Sequence, residues 1–297
     1  MYRGRFAPTP SGDLHLGSLV TAVASYLDAR AADGEWLLRI EDIDVHRCKS
    51  EFEDNIKHEL ERHGLHWDGL VVRQSDRQEY YWQALNHLNQ NGEIYVCHCS
   101  KAKLTRRGCV RNDEGEFVYP GFCRSLNPKP MPQEILQGAC SVRLCVSEFE
   151  SVFVDRLQGL QRTVVAREVG DFVVRRADGC FAYHLAVVVD DELQGVTHVV
   201  RGNDILPLTA RHLLLQRSLS YRVPSYLHVP VVLSPEGTKL SKRDSAVALK
   251  TTDARDNLFR AIRHLGIELP IELNRAPASE IIREAIWRWN KKSDDCF

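Results

Sequence analysis

The sequence lacks the long hydrophobic runs that membrane-spanning proteins and secreted precursors carry. No apolar stretch approaches the roughly 18 residues that a membrane-spanning helix needs. The first ten residues, MYRGRFAPTP, contain no signal-peptide core. We therefore expect a soluble, cytoplasmic protein without a membrane partner.

An excess of one charge is also missing, because 39 Lys and Arg residues face 40 Asp and Glu residues, for a formal net charge of −1. This balance excludes a uniformly basic nucleic-acid coat and an acidic disordered tail as the main feature of the chain. It leaves a local basic surface possible. The 297 residues, 43% of them hydrophobic, suffice for about two domains with a sizeable core.

Cysteine is too scarce for a disulfide scaffold, since the chain has nine cysteines, an odd number. In a reducing compartment such residues are free thiols by default. Four of the nine lie between Cys97 and Cys123. This local density is compatible with two interpretations, a zinc site or a group of buried thiols without metal.

Short apolar runs alternate with helical patterns over the first ninety residues and again beyond Asp171. Such alternation predicts an α/β fold, in which helices cover a parallel sheet. Residues 97–165 interrupt the pattern with cysteines and prolines, so we interpret them as an insertion between two halves of the sheet, residues 1–96 and 166–240. Residues 241–297 are predicted to contain the end of the basic loop SPEGTKLSKRD and a short helical region.

The two common nucleotide fingerprints are absent, because no G-x-G-x-x-G follows the first strand and Leu70 stands where a P-loop would have lysine. The segment RFAPTPSGDLHLGS, residues 5–18, is another candidate for nucleotide binding. An imidazole, a glycine and a hydroxyl (His15, Gly17 and Ser18) at the start of a helix suit phosphate oxygens. The alternative interpretation is a Pro/Gly turn with an ordinary helix cap.

A second candidate lies far along the chain, in SPEGTKLSKRD, where a Pro/Gly-rich loop presents Lys239, Lys242 and Arg243. Three cations on one loop can close on a polyphosphate and stabilise negative charge on it. A solvated basic turn is the alternative.

Taken together, P-x-P-S-G-x-x-H-L-G and K-L-S-K resemble the paired signatures of class I aminoacyl-tRNA synthetases. The segments RIEDID, AYHLAVVVDD and VVRGNDI narrow the resemblance, which covers residues 3 to about 250, to the glutamyl/glutaminyl branch. The resemblance implies a Rossmann-type parallel sheet with an inserted zinc-bearing subdomain and a short C-terminal helical region. It also implies an ATP-dependent ligase that forms an aminoacyl-adenylate, with Mg²⁺ accompanying ATP.

The same resemblance implies roles for individual residues. Arg5 ends the first strand and Glu41 lies at the carboxyl end of the second, at the sheet edge where open α/β folds bind ligands. Together with Arg201 they give two cations and one acid, which favour glutamate over glutamine. The implied glutamate-binding residues are Arg5, Thr9, Glu41, Tyr183 and Arg201. The implied ATP-binding residues are His15, Gly17, Ser18, Lys239, Ser241 and Lys242, of which His15 and Lys242 are catalytic. The implied ligands of one structural Zn²⁺ are Cys97, Cys99, Tyr119 and Cys123. Cys109 and His98 are the alternatives for the place of Tyr119.

The sequence departs from the family pattern at three places. Ser18 replaces a histidine, Val187 replaces an asparagine of the glutamyl enzymes, and only residues 244–297 follow Arg243, where full-length enzymes carry anticodon-binding domains. Such a short C-terminal region resembles the short paralogues that activate glutamate without tRNA and attach it to the queuosine base of aspartate tRNA. We therefore expect a monomer whose partners are ATP, L-glutamate and the queuosine-bearing anticodon stem-loop of tRNA(Asp). The alternatives are a truncated enzyme that charges a tRNA 3′ end and a non-catalytic tRNA-binding regulator.

Overall fold

The computed structural model describes residues 1–44, 46–113, 115–233, 249 and 253–296, the last five of these without their side chains. The strands are β1 Arg3–Phe6, β2 Glu35–Ile40, β3 Val72–Arg73, β4 Ile94–Cys97, β5 Ser141–Leu144, β6 Glu150–Asp155, β7 Gly159–Val164, β8 Val173–Arg175, β9 His198–Gly202 and β10 Ser225–Val229. The α-helices are α1 Leu16–Ala31, α2 Ser50–Arg62, α3 Gln78–Gln90, α4 Lys101–Arg106, α5 Gln133–Gln137, α6 Val165–Glu168, α7 Tyr183–Leu193, α8 Thr209–Leu219, α9 Ala254–His264 and α10 Ala278–Cys296.

The centre of the fold is parallel. Strand β2 pairs in parallel with both β1 and β3, and β10 pairs in parallel with both β9 and β6. The two groups of strands meet where the Thr197 N–H, just before β9, donates to the Arg3 carbonyl oxygen at 2.9 Å. This arrangement confirms the predicted α/β fold, and it brings the carboxyl ends of β1, β2 and β9 to one edge.

Helix α1 is largely buried because it packs between the sheet and the C-terminal helices α9 and α10. Its Asp28 carboxylate pairs with Arg156 at 2.6 Å and accepts a hydrogen bond from Trp289 Nε1 at 3.1 Å. The C-terminal region is thus a layer over the first half of the sheet.

Strand pairing cuts across the predicted domain boundaries. Strand β4, which crosses the 96/97 boundary, and strand β8, from outside 97–165, pair antiparallel with β5 from inside it. The hairpin β6–β7, from inside, adds to the central sheet through β10. The cysteines and prolines marked where the regular alternation stops, but they carry no information about which strands pair. The boundaries at 96/97 and 165/166 stay a prediction.

Within the described ranges, no helix combines the length and the apolar character that crossing a membrane requires.

Candidate active site and cysteine cluster

A cavity of about 370 Å³ opens at the carboxyl ends of β1, β2 and β9, beside the start of α1. We call it the smaller cavity. It brings together side chains from segments that are far apart in the sequence. Every described residue predicted to bind glutamate or ATP lines it: Arg5, Thr9, His15, Gly17, Ser18, Glu41, Tyr183 and Arg201. The predicted ATP-binding residues Lys239, Ser241 and Lys242 lie outside the described residues.

The start of α1 forms one wall of the smaller cavity. His15 is the N-cap residue, and its Nδ1 accepts a hydrogen bond from the Ser18 N–H at 3.3 Å, while Ser18 Oγ lies 3.3 Å from His15 Nε2. A Cβ at position 17 would lie 3.1 Å from His15 Cε1. Gly17 therefore lets the imidazole fold over the helix start, where the helix dipole favours an anion such as a phosphate.

Buried ion pairs that the sequence prediction did not assign connect Arg5 and Glu41, which line the smaller cavity, to Arg39 and Asp191, which are not in its described lining. Arg5 Nε lies 3.2 Å from Asp191 Oδ1, and the fully buried Arg39 places its Nη2 2.8 Å from the same oxygen. Arg39 also donates to Gln194 Oε1 at 2.8 Å. The available signals were a single arginine in an otherwise apolar strand and the acidic pair that ends AYHLAVVVDD. Arg5 is thus already paired with an acidic residue that the predicted set did not include.

In this group, Glu41 is a carboxylate with an oxygen that can still accept a hydrogen bond from a ligand. Its Oε1 lies 3.6 Å from Arg39 Nη2 and has no hydrogen-bond partner among the described residues. Burial raises the pKa of Glu41 to about 7, although Arg39 and Arg5 act to lower it. A cationic group bound in the cavity would stabilise the ionised carboxylate and so lower the pKa of Glu41.

Arg201, at the end of β9, is held by three side chains. Its Nε donates to His228 Nε2 at 2.9 Å, its Nη1 lies 3.1 Å from His212 Nδ1, and its Nη2 donates to Thr209 Oγ1 at 2.8 Å. His228 in turn contacts Asp155 Oδ2 through Nδ1 at 2.6 Å. These partners come from β6, β10 and α8, so no local sequence pattern indicated them. They fix the guanidinium at the cavity wall.

A second cavity, of about 540 Å³, adjoins the first and shares Thr9, Glu41, Arg47 and Tyr183 with it. We call it the larger cavity. Its other walls come from α4, β5, β8 and the start of α7. Its lining holds more cations than anions; the cations are Arg47, Lys101, Arg111, Arg143, Arg176 and Arg211, and the anions are Glu41, Asp44, Glu116 and Asp171.

Val187, where the glutamyl enzymes have asparagine, is buried among the apolar residues around α7. It is absent from the described linings of both cavities. The valine thus contributes to packing in this chain.

The cysteine cluster lies at the end of β4. The sulfur atoms of Cys97, Cys99 and Cys123 lie within 4.8 Å of one another, and those of Cys99 and Cys123 are 3.7 Å apart. The Tyr119 hydroxyl lies 3.4 Å from Cys97 Sγ and 3.5 Å from Cys99 Sγ. Ligands around a tetrahedral Zn²⁺ with Zn–S bonds of ~2.3 Å are separated by about 3.8 Å, so this donor set fits zinc. The described residues include no fourth Cys or His in the group.

The fold holds this cluster through Gly170 and Asp171. Gly170 pairs with Tyr119 as a parallel bridge at a φ of +65°, and a Cβ there would lie 2.6 Å from the Tyr119 backbone N and O. Only glycine permits this approach. The Asp171 carboxylate binds Arg124, the residue after Cys123, and so anchors the other side of the cluster.

Comparison with known proteins agrees with this geometry. The family model described as class I tRNA synthetases (E and Q), catalytic domain, matches residues 1–296. The chain belongs to this family. It is therefore a ligase of the class I aminoacyl-tRNA synthetase type, as the sequence motifs predicted.

Curated relatives of this synthetase include the Glutamyl-Q tRNA(Asp) synthetase of Pseudomonas fluorescens, which is 46% identical over 97% of this chain and 92% of its own length. That of Idiomarina loihiensis is 43% identical over 98% of both chains. Among solved structures, a glutamate tRNA ligase from Elizabethkingia meningosepticum in complex with its amino acid superposes with a TM-score of 0.74 at 26% identity, covering 95% of this chain. The present chain spans 64% of that ligase.

Proposed function

We propose that this synthetase activates glutamate with ATP in the absence of tRNA and transfers the glutamyl group to queuosine in the anticodon of tRNA(Asp). The observation that carries the proposal is the smaller cavity, which gathers every described residue predicted to bind glutamate or ATP, with the larger cavity directly beside it. The relatives match this chain over nearly its whole length, and their names indicate the acceptor that we propose, queuosine in tRNA(Asp). The proposal includes the monomeric state that is expected from the sequence.

In the activation step, an oxygen of the glutamate α-carboxylate bonds to the α-phosphorus of ATP, and pyrophosphate leaves. Arg5 and Arg201 offer guanidinium groups to the carboxylates of glutamate, and Glu41 offers its unpartnered oxygen to the ammonium. His15 at the start of α1, together with Lys242, stabilises charge on the phosphates. Mg²⁺ accompanies ATP.

In the transfer step, a hydroxyl oxygen of the queuosine cyclopentenediol bonds to the glutamyl carbonyl carbon. The bond from that carbon to the adenylate phosphate oxygen breaks, AMP leaves, and the hydroxyl proton passes to the leaving phosphate. The larger cavity, which contacts the first through Thr9, Glu41 and Tyr183, has the position and the cationic lining that an approaching nucleotide needs.

One structural zinc completes the proposal, with Cys97, Cys99, Cys123 and Tyr119 as ligands. The arrangement of the three sulfur atoms and the phenol oxygen supports Tyr119 over Cys109 and His98. When bound, the metal would make the turn that begins α4 more rigid and would take no part in the chemistry.

The test uses labelled glutamate, ATP and bulk tRNA from cells that make queuosine or cells that cannot. We expect label only on the first pool, on the aspartate isoacceptor, and also on an isolated queuosine-bearing anticodon stem-loop. Glutamate-dependent ATP–pyrophosphate exchange should proceed without any tRNA.

Two other results identify the alternatives. An enzyme that charges 3′ ends would label both pools and would lose its acceptor after periodate oxidation of the 3′ diol. A regulator would label neither pool. Exchange that needs tRNA, or that aspartate or glutamine supports better, would contradict the activation step.

A further inference from the structure

Two histidines connect the smaller cavity to the larger one. Arg201 Nη1, at the wall of the smaller cavity, lies 3.1 Å from His212 Nδ1. His212 Nε2 lies 3.3 Å from His184 Nδ1. His184 lines the larger cavity, beside Tyr183 at the start of α7. We call Arg201, His212 and His184 the histidine relay.

The arginine fixes the direction of every hydrogen bond in the relay. A guanidinium only donates, so His212 Nδ1 accepts and the neutral ring carries its hydrogen on Nε2. That N–H donates to His184 Nδ1, which places the hydrogen of His184 on its Nε2 as well. Burial lowers the pKa of His184 to about 3 and that of His212 well below its usual value, and the nearby arginines act in the same direction. Both rings are therefore neutral near pH 7.

His184 Nε2 has no hydrogen-bond partner among the described residues. The His184 ring packs edge-on against Phe172, with centroids 5.8 Å apart, and is half-buried. The relay thus delivers one oriented N–H donor to the wall of the larger cavity. Two of the cations in the same lining are already paired: Arg176 lies 3.0 Å from Asp44, and Arg211 pairs with Glu116.

We propose that His184 is a binding residue for the acceptor nucleotide and that His212 is the residue that positions it. The Nε2–H of His184 donates a hydrogen bond to a hydroxyl oxygen of the acceptor diol, and this contact orients the second hydroxyl toward the glutamyl carbonyl carbon. The inference deepens the proposed function and rests on it. It predicts that recognition of a diol-bearing base depends on the tautomer that Arg201 sets.

The first test compares His184→Phe with His184→Gln in the full-length protein. Glutamine preserves the relay, because its amide oxygen accepts from His212 while its NH₂ group donates into the cavity; phenylalanine does neither. Loss of one such hydrogen bond corresponds to about a tenfold loss of kcat/KM. For glutamate transfer to a queuosine-bearing stem-loop, we expect that loss in the phenylalanine variant and less than about a threefold loss in the glutamine variant.

Pyrophosphate exchange measured on the same preparations separates binding from folding. We expect the phenylalanine substitution to reduce transfer at least about fivefold more than exchange. Equal losses in both reactions, or equal transfer by the two variants, would overturn the inference. Absence of queuosine labelling by the wild-type protein would instead refute the proposed function, and this result is seen before any variant is compared.

The second test reads the tautomers directly. Long-range ¹H–¹⁵N spectra of ¹⁵N-histidine-labelled protein, assigned with the two His184 variants and His212→Gln, report which ring nitrogen carries hydrogen. We expect the Nε2–H form for both residues of the wild-type protein. An Nδ1–H form or a protonated ring at pH 7 in either residue would overturn the relay regardless of activity.

Discussion

The two cavities are neighbours, yet they are built from different kinds of sequence. The smaller cavity is lined by short contiguous motifs at the ends of parallel strands and at the start of α1. The larger cavity combines some of those residues with side chains from the antiparallel sheet β4–β5–β8 and from the segment between Cys99 and Cys123. In the proposed function, activation uses the first kind of surface and acceptor recognition uses the second. Substitutions should therefore separate the two reactions according to the cavity that they affect.

The largest effect is expected from Arg201→Ala, which removes a guanidinium from the smaller cavity and leaves His228, His212 and Thr209 without their shared partner. Loss of charge-assisted hydrogen bonds to a substrate carboxylate should lower kcat/KM for glutamate in pyrophosphate exchange by about 10²- to 10³-fold. Transfer should fall with exchange, because no adenylate is available.

Arg167→Ala, an exposed arginine on α6, is the matched control. Its exchange rate should stay close to that of the wild-type protein. A near-normal glutamate KM in Arg201→Ala would show that the relay, and not substrate binding, accounts for the position of this arginine.

Two residues of the cysteine cluster, Cys97 and Cys99, come just before α4, which supplies Lys101 to the larger cavity. We expect purified protein to contain about one zinc per chain and Cys99→Ser to contain almost none. Transfer should decline more than exchange, because the α4 wall belongs to the acceptor side. Elemental analysis of protein prepared without chelators measures the metal.

Two variants sharpen this result. Cys109→Ser should retain its zinc if Cys109 is outside the ligand set, and Tyr119→Phe should bind zinc more weakly if the phenol oxygen is a ligand. A metal-free preparation with full transfer activity would show that these cysteines are buried thiols only.

The pH dependence of glutamate binding tests Glu41, which both cavities share. Because burial raises its pKa to about 7, the carboxyl group of the ligand-free protein is mostly protonated at pH 6 and mostly ionised at pH 8. Only the ionised form attracts the glutamate ammonium, so the glutamate KM should fall by about tenfold as the pH rises across this range. Glu41→Gln should have a higher KM and lose this pH step. A wild-type KM independent of pH would place the ammonium elsewhere.

The smallest effect is expected from removing cations of the larger cavity. The double substitution Lys101→Ala/Arg111→Ala should weaken stem-loop binding severalfold at ~0.15 M salt and reduce the slope of log K against log salt by about 1 to 2. Lys103→Ala/Arg106→Ala, on the same helix but outside the described lining, provides the comparison. Stem-loop affinity that does not respond to salt would contradict docking on a cationic surface.

Much of the activation site was predictable from sequence, for a physical reason. In a parallel α/β fold, a residue at the carboxyl end of a strand reaches the common ligand-binding edge whatever the rest of the chain does. Arg5, Glu41 and Arg201 occupy such ends, and His15 begins the helix that follows the first strand. Local motifs were thus enough to place these side chains together. For the cysteines, the spacing alone left a zinc site and buried thiols open, and the family resemblance implied the group that the fold assembles.

Only the tertiary structure decided which buried groups support these residues. Asp191 pairs with Arg5 and Arg39 across the sheet, and His212 and His228 reach Arg201 from α8 and β10. No periodicity or motif records such contacts, because they depend on how distant elements pack. Strand pairing across residues 97–165 was decided in the same way, since an apolar run predicts a strand but does not specify its neighbour. The sequence determined which functional side chains lie at the site. Packing determined the protonation states and orientations of these side chains and their access to ligands.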